Sequence, residues 1–97
     1  MDWRVVFSTR SKVDLQKIVE HIARDDSTAA QRVGLLLIEK AESISHAPEA
    51  GVRLIERPGT RFLPCGSYLI IYRAEASNQT VRILRFWHGA RGKRPLR

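Results

Sequence analysis

The sequence has few of the residues that cross-link small proteins or anchor proteins in membranes. Its 97 residues include a single cysteine, Cys65, which excludes an internal disulfide and a cysteine-based zinc site. No run of about 18 apolar residues is present, the length that a membrane-spanning helix requires. The first residues lack the long apolar stretch and the cleavage pattern of a secretory signal. These absences predict a cytoplasmic protein that is not bound to a membrane.

Acidic residues are scarce relative to basic ones. Seventeen Lys and Arg against ten Asp and Glu give a formal net charge of +7. A field of this sign attracts polyanions, such as nucleic acid, an acidic protein or an anionic surface. The alternative is a solvated basic surface that has no specific partner.

The hydrophobic pattern predicts one domain over residues 1–97, with the element order β-α-α-β-β-β. Strands are indicated by apolar residues at every second position, and helices by apolar residues three and four positions apart. Ser11 is the predicted N-cap of the first helix, with Asp14 completing an acidic variant of the capping box. The segment 25–27 offers the cap of the second. The predicted elements are strands at 3–8, 60–65, 67–73 and 81–87, and helices at 11–24 and 28–45.

This element order predicts an α+β fold in which the helical hairpin packs on one face of a small antiparallel sheet. Residues 67–73 are apolar on both sides, which is typical of an interior strand. The other face of the sheet is then open or covered by a partner. Gly34 costs the second helix about 1 kcal/mol relative to alanine, and a close crossing of the helices would explain it.

Several short motifs follow one another along the chain. They comprise an early Trp3, Asp14-Leu15 followed by Ile18, Pro48 followed by Gly51, the segment 66–73 (Gly-Ser-Tyr-Leu-Ile-Ile-Tyr-Arg), and a last strand that ends in His-Gly-Ala-Arg at 88–91. In this order, over nearly the whole chain, they resemble the RelE/ParE family of toxins. The last two segments resemble most closely its ParE, or plasmid stabilisation, side.

The resemblance implies the toxin half of a type II toxin–antitoxin pair, which causes growth arrest unless a cognate antitoxin neutralises it. The expected assembly is a toxin–antitoxin hetero-oligomer. RelE-like members of the family cut messenger RNA on the ribosome. ParE-like members poison DNA gyrase and are not nucleases, so the resemblance leaves two targets open.

Cleavage of RNA by its 2′-hydroxyl needs a base, an acid and cations that stabilise the phosphorane charge. His88 is the candidate acid or base, since an imidazole titrates near neutrality. The candidate cations are Arg61, Arg73 and Arg91. RelE-like nucleases usually carry an arginine where this chain has Leu69, and many carry a tyrosine near the C-terminus, whereas none follows Tyr72. Both departures weigh against a nuclease, and His88 then has a structural or a binding role.

The C-terminal tail is the main candidate for binding a target or partner. It carries four basic residues within seven positions and no acid between them, namely Arg91, Lys93, Arg94 and Arg97. Together with His88, these residues would contact phosphates, gyrase or an acidic antitoxin. The alternative is a frayed, solubilising end.

The favoured interpretation is therefore a toxin that is not an enzyme and inhibits DNA gyrase by binding alone. One alternative is a ribosome-dependent mRNA endonuclease, and another is an antitoxin-bound module that has lost its toxicity. No metal and no cofactor are expected, because His21, His46 and Cys65 are not at metal-ligand spacing. We expect Cys65 to be a buried, inert thiol.

Overall fold

The computed structural model describes residues 3–89. It confirms the predicted order of elements and adds one short strand between the predicted second helix and the predicted strand at 60–65. Two residues are too few to show a period-two pattern, which explains why this strand was missed. The elements are β1 (Arg4–Phe7), α1 (Thr9–Ala23), α2 (Ser27–Ser43), a 3₁₀ turn (Ile44–His46), β2 (Val52–Arg53), β3 (Thr60–Cys65), β4 (Tyr68–Glu75), a second 3₁₀ turn (Ala76–Asn78) and β5 (Thr80–His88).

The five strands form one sheet in the order β1-β5-β4-β3-β2. Strands β2 to β5 are antiparallel neighbours, but β1 runs parallel to β5, so the sheet is mixed rather than wholly antiparallel. The helical hairpin returns the chain to the start of β1, where the Trp3 N–H donates to the Ser45 carbonyl (3.3 Å). Period-two alternation of apolar residues does not reveal whether β1 runs parallel or antiparallel to β5.

The helices are capped by side chains at their N-termini. The prediction that α1 begins at Ser11 was wrong, because Ser8 is the N-cap and its Oγ accepts the Ser11 N–H (3.0 Å). Ser11 in turn donates its own hydroxyl to the Ser8 carbonyl (2.8 Å). The cap expected from residues 25–27 is confirmed, since Asp26 accepts the Ala29 N–H (3.0 Å).

The hydrophobic core lies between the helices and one face of the two central strands, β4 and β5. Its buried residues are Leu37, Ala41, Ile44, Ile70, Tyr72, Val81, Ile83 and Phe86. The helices also meet closely, as the presence of Gly34 predicted. A Cβ on Gly34 would lie 3.1 Å from Cγ2 of Val19 on α1, so a side chain there would push the helices apart.

A bulge in β5 decides which side chains of its second half face the helices. Ile71 pairs with Arg85, whereas the next residue, Tyr72, pairs with Ile83, so Leu84 is an extra residue in β5. Residues that pair directly across strands share a face, and Tyr68 pairs with His88. Since Tyr68 packs against the core, the bulge brings His88 to the helix side of the sheet.

Candidate functional site

Arg61, one of the predicted cations, is bound to the segment that links α2 to β2. Its Nη1 donates to the Gly51 carbonyl (2.8 Å) and to the Glu49 carbonyl (3.2 Å). The same segment is held by Tyr72, whose buried hydroxyl donates to the Pro48 carbonyl (2.8 Å) and accepts the Gly51 N–H (2.9 Å). Arg61 and Tyr72 therefore anchor this loop to the sheet.

Arg73 also holds a loop. Its Nη2 donates to the Pro58 carbonyl (3.2 Å), in the turn before β3. Arg61 and Tyr72 are paired across β3 and β4, and Arg73 is the next residue on β4, so both arginines lie at one end of the sheet. His88 is paired with Tyr68, four residues away from Tyr72 on β4, which corresponds to about 13 Å along a strand. The structure does not bring His88 together with these arginines.

His88 lies in a groove between α1 and the ends of β4 and β5. The groove has a volume of about 710 Å³. The His88 ring packs against the Tyr68 ring, with centroids 5.0 Å apart and an angle of 59° between the planes. Opposite them, α1 and its C-cap contribute several side chains to the wall, including Arg10, Asp14, Lys17, Ile18, His21 and the C-cap residue Arg24. The imidazole is thus half-buried beside a phenol and faces a basic helix.

An ion pair ties α1 to β5 at one end of this groove. Asp14 Oδ2 accepts the Arg85 Nε–H (2.6 Å) and the Phe86 backbone N–H (3.2 Å), and Asp14 Oδ1 accepts from Arg85 Nη2 (3.1 Å). The Arg85 guanidinium carbon also lies 5.5 Å from the centre of the Trp87 ring. Both carboxylate oxygens are occupied, so Asp14 fixes the groove's shape rather than acting as a free base.

The basic wall of this groove is not among the sites that the sequence predicted. The signal was present, because Lys17, His21 and Arg24 are four and three positions apart and therefore share a helix face. What the pattern did not reveal is that this face lies beside His88. The tail residues Arg91, Lys93, Arg94 and Arg97 lie outside the described residues.

The remaining candidate groups carry little chemistry. The Cys65 thiol is partly buried and lies 3.9 Å from the Leu36 carbonyl, to which it donates. Across residues 3–89, no three His, Cys, Asp or Glu side chains are placed to hold a metal ion. None of the helices described is long and apolar enough to cross a membrane.

The groove between α1 and the strand ends offers an imidazole, a phenol and several cations.

Comparison with solved structures identifies the fold. The chromosomal ParDE toxin–antitoxin system of P. aeruginosa contains a chain that superposes with a TM-score of 0.78 at 18% identity, covering 89% of this chain and 95% of that one. A free-state variant of E. coli RelE gives 0.66 at 18% identity, covering 95% of this chain and 88% of that one. At these identities the likeness shows the fold alone.

Two further similarities are closer in sequence. The toxin–antitoxin complex RelBE2 of Mycobacterium tuberculosis contains a chain with a TM-score of 0.71 at 26% identity, covering 91% of this chain and 99% of that one. Toxin RelE1 of Caulobacter vibrioides is 31% identical over 91 residues, which are 92% of this chain and 96% of that protein.

The strongest assignment comes from a family model. Residues 5–92 match the family described as the ParE toxin of the type II toxin–antitoxin system parDE. The match spans nearly all of the chain and agrees with the fold and with the identity to Toxin RelE1. This chain therefore belongs to the ParE toxin family, within the RelE/ParE group of type II toxins.

Proposed function

We propose that this toxin inhibits DNA gyrase by binding to it, without chemistry of its own. The observation that carries the proposal is the separation of the expected nuclease groups. Arg61 and Arg73 are hydrogen-bonded to loop carbonyls at the end of the sheet away from His88. A cation stabilises a phosphorane only when it lies close to the reacting phosphate.

The position of Leu69 also favours binding over cleavage. Leu69 pairs with Trp87, so the two residues share the sheet face opposite that of His88. An aliphatic side chain supplies neither a proton nor a charge. Inhibition by binding needs only a complementary surface, and the net charge of +7 together with the groove cations favours an anionic target or partner.

The antitoxin is the expected second partner. The P. aeruginosa and M. tuberculosis relatives were solved as parts of toxin–antitoxin systems. We propose that a small antitoxin, acidic in the part that contacts the toxin, neutralises this chain in a hetero-oligomeric complex. Acidic segments of this kind are often unfolded alone and fold as they bind.

A ribosome-dependent mRNA endonuclease is the second candidate. Three of the similar proteins carry RelE or RelBE names, and His88 is half-buried beside basic side chains. In this alternative His88 would transfer the proton and Arg91 would stabilise the phosphate charge. A toxin that has lost its toxicity and only binds its antitoxin is the third.

Expression of the chain alone in a bacterial host separates these functions. We expect growth arrest, induction of the DNA-damage response and intact messenger RNA. With the purified toxin, gyrase should accumulate cleaved DNA. The matched variants are His88→Asn and Lys12→Asn, the latter exposed on α1 and outside the groove.

Codon-positioned cuts in messages, lost in His88→Asn but kept in Lys12→Asn, would overturn the gyrase proposal in favour of the nuclease. Absence of arrest from a folded chain that still binds its antitoxin would leave the third alternative. Arrest with cleaved DNA in both variants would support inhibition by binding.

A further inference from the structure

A second cavity lies at the end of the sheet away from His88, between the start of the chain, the loop after α2 and the turn before β3. Its volume is about 540 Å³, which is within the range of small-molecule sites. Most of its lining is apolar and includes Trp3, Leu54 and Pro58. Ile55 also lines it and is 93% exposed, more than any other large hydrophobic residue described. This lining favours a ligand that has an apolar body.

Two arginines face each other at this cavity. Arg53 in β2 and Arg61 in β3 are direct cross-strand partners, and both line the cavity. Such partners share a sheet face with Cβ atoms about 5 Å apart, and like charges placed this way repel. Within residues 3–89, neither arginine forms an ion pair, and the Arg53 side chain makes no hydrogen bond. An anion between the two guanidinium groups would relieve their repulsion.

The carboxylate at this cavity limits the charge that a ligand can carry. Glu49 lines the cavity, and its backbone carbonyl accepts from Arg61 Nη1 (3.2 Å). Its side chain would repel a second anionic group on the ligand. A molecule with one anionic group therefore fits better than a polyanion such as a nucleic acid, which carries a charge at every phosphate.

A polar group of the cavity wall is left without a partner. Thr60 lines the cavity, and its buried Oγ1 has no hydrogen-bond partner within residues 3–89. A buried hydroxyl without a protein partner needs an acceptor from elsewhere, and a bound oxyanion would supply one. The wall thus combines two unneutralised cations and one unsatisfied hydroxyl with an apolar lining.

We propose that this cavity binds a small organic oxyanion, a carboxylate or a phosphate monoester carried on an apolar ring. The oxyanion lies between Arg53 and Arg61, whose planar guanidinium groups match the spacing of its oxygen atoms. The ring packs on Leu54 and Ile55. By bridging β2 and β3, the ligand holds the two-residue edge strand β2 to the sheet. This site is distinct from the groove beside His88 and does not depend on which target the toxin has.

The test titrates the purified full chain with four probes, namely phenyl phosphate, benzoate, benzyl alcohol and inorganic phosphate. Binding is followed by the amide shifts of Leu54 and Gly59 in NMR spectra. We expect phenyl phosphate or benzoate to bind, and the tighter of the two identifies the anionic group. Benzyl alcohol should bind about tenfold more weakly or worse, because it makes no charge-assisted hydrogen bond.

Two results of this titration would overturn the site. One is that neither phenyl phosphate nor benzoate shifts the amides of Leu54 and Gly59, or that the shifts centre on Ile18 and His88 instead. The other is that inorganic phosphate binds as tightly as phenyl phosphate, since the apolar lining would then contribute nothing. Slower hydrogen exchange of the Leu54 N–H, which donates to the Thr60 carbonyl (2.9 Å), would support the bridging of β2 and β3.

The contribution of the arginine pair is tested by Arg53→Gln, at an exposed position whose side chain makes no hydrogen bond in the described fold. We expect binding to weaken by about tenfold, because one charge-assisted contact is lost. The matched control is Arg32→Gln, which removes one exposed arginine from α2 outside the cavity. Its loss should stay below about twofold, since exposed charges beyond a Debye length are screened. Equal losses in the two variants would show that only the net charge attracts the ligand.

The contribution of the apolar lining is tested by Ile55→Ser. Because Ile55 is almost fully exposed in the free protein, we expect the variant to fold normally. Binding of the better ring probe should weaken by about threefold through lost apolar burial, while that of inorganic phosphate should not change. The control Leu35→Ser, at a 62% exposed position of α2, should leave both unchanged. An unchanged affinity of Ile55→Ser for the ring probe would contradict the proposed position of the ring.

Discussion

Asp14 in α1 and Arg85 in β5, 71 positions apart in the sequence, form an ion pair through two hydrogen bonds of 2.6 and 3.1 Å. Their side chains are only 10% and 16% exposed. The same carboxylate accepts the Phe86 N–H (3.2 Å). Because β1 pairs with β5 only as far as Ile83, Asp14 provides an acceptor for the part of β5 that extends beyond β1.

We predict that Asp14→Ala lowers the free energy of unfolding by about 2–3 kcal/mol. The substitution leaves a mostly buried guanidinium and a backbone N–H without their acceptor, and the cost comes mainly from these uncompensated groups. Urea denaturation followed by circular dichroism measures the change. Asp14→Asn should cost less, because its amide oxygen still accepts from Phe86.

Arg10→Ala is the matched control for this prediction. Arg10 approaches the same carboxylate at 3.7 Å, but its side chain is 65% exposed. Exposed pairs of this kind contribute less than about 1 kcal/mol, so Arg10→Ala should change stability little. Similar losses for Asp14→Ala and Arg10→Ala would contradict the role given to Arg85.

Tyr72→Phe should destabilise the protein by about 1–3 kcal/mol. Removing the hydroxyl leaves the buried Pro48 carbonyl and Gly51 N–H without their partner, at the cost of desolvating both. The control is Tyr68→Phe at a half-buried position, for whose hydroxyl no hydrogen bond is found within residues 3–89. If the unfolding curves of Tyr72→Phe and Tyr68→Phe coincide, the loop-anchoring role of Tyr72 is contradicted.

The stability of the protein should also fall at alkaline pH because of Tyr72. Burial raises the pKa of its phenol above the ordinary value of 10.0, and this outweighs the lowering by the Gly51 N–H and by Arg61. Between the unfolded and the folded pKa the unfolded state binds fewer protons, so stability declines with rising pH. The contribution is fully present below about pH 10 and is lost as the pH rises through the folded pKa.

Urea unfolding of the unsubstituted protein and of Tyr72→Phe, measured from about pH 8 to 11, isolates this effect from that of other groups. The difference in unfolding free energy between them should shrink as the pH rises. A difference that stays constant over this range would show that Tyr72 does not contribute to the alkaline loss.

Gly34→Val should destabilise the helical hairpin by about 1–3 kcal/mol through overpacking. A Cβ added at this position would lie only 3.1 Å from Cγ2 of Val19, and a branched side chain adds further atoms. Val19→Ala in the same chain should recover part of the loss. Thermal unfolding of the single and double variants gives the coupling free energy between positions 34 and 19. Strictly additive effects would show that the helices do not meet here.

Neutralising the basic tail should slow association with the antitoxin. We expect the substitution to Gln of Arg91, Lys93, Arg94 and Arg97 to lower the association rate by about tenfold at low salt, and less at high salt. Stopped-flow mixing of the toxin with its antitoxin measures this association rate. The control substitutes four exposed basic residues elsewhere, namely Arg4, Lys12, Arg32 and Lys40, and an equal effect would indicate that only the net charge matters.

Much of the architecture was predictable because burial leaves a local pattern. The segment apolar on both sides became β4, an interior strand, and Gly34 marked the crossing with Val19. Asp26 capped α2 as its position suggested. Each of these features depends on residues that are close in sequence or on the total amount of apolar surface. Both can be read from the composition and from the spacing of the apolar residues.

The candidate site was less predictable, because it depends on which strands pair and in what register. His88 was identified as the residue at the strand end, but its expected cations Arg61 and Arg73 bind carbonyls at the other end of the sheet. The helix start was misplaced for a related reason. Both Ser8 and Ser11 are able to cap a helix, and only the backbone path shows that Ser8 does so.

The sequence by itself determined the family, the order of the main elements and the basic character of the surface, because each is present in local motifs or in the composition. The tertiary structure alone decided that β1 runs parallel to β5 and that the extra residue Leu84 brings His88 to the helix side, facing Lys17. The physical reason is that a period-two pattern is identical for parallel and antiparallel strands. Such a pattern also does not show which distant strand is the partner, or that a strand contains one extra residue at a bulge.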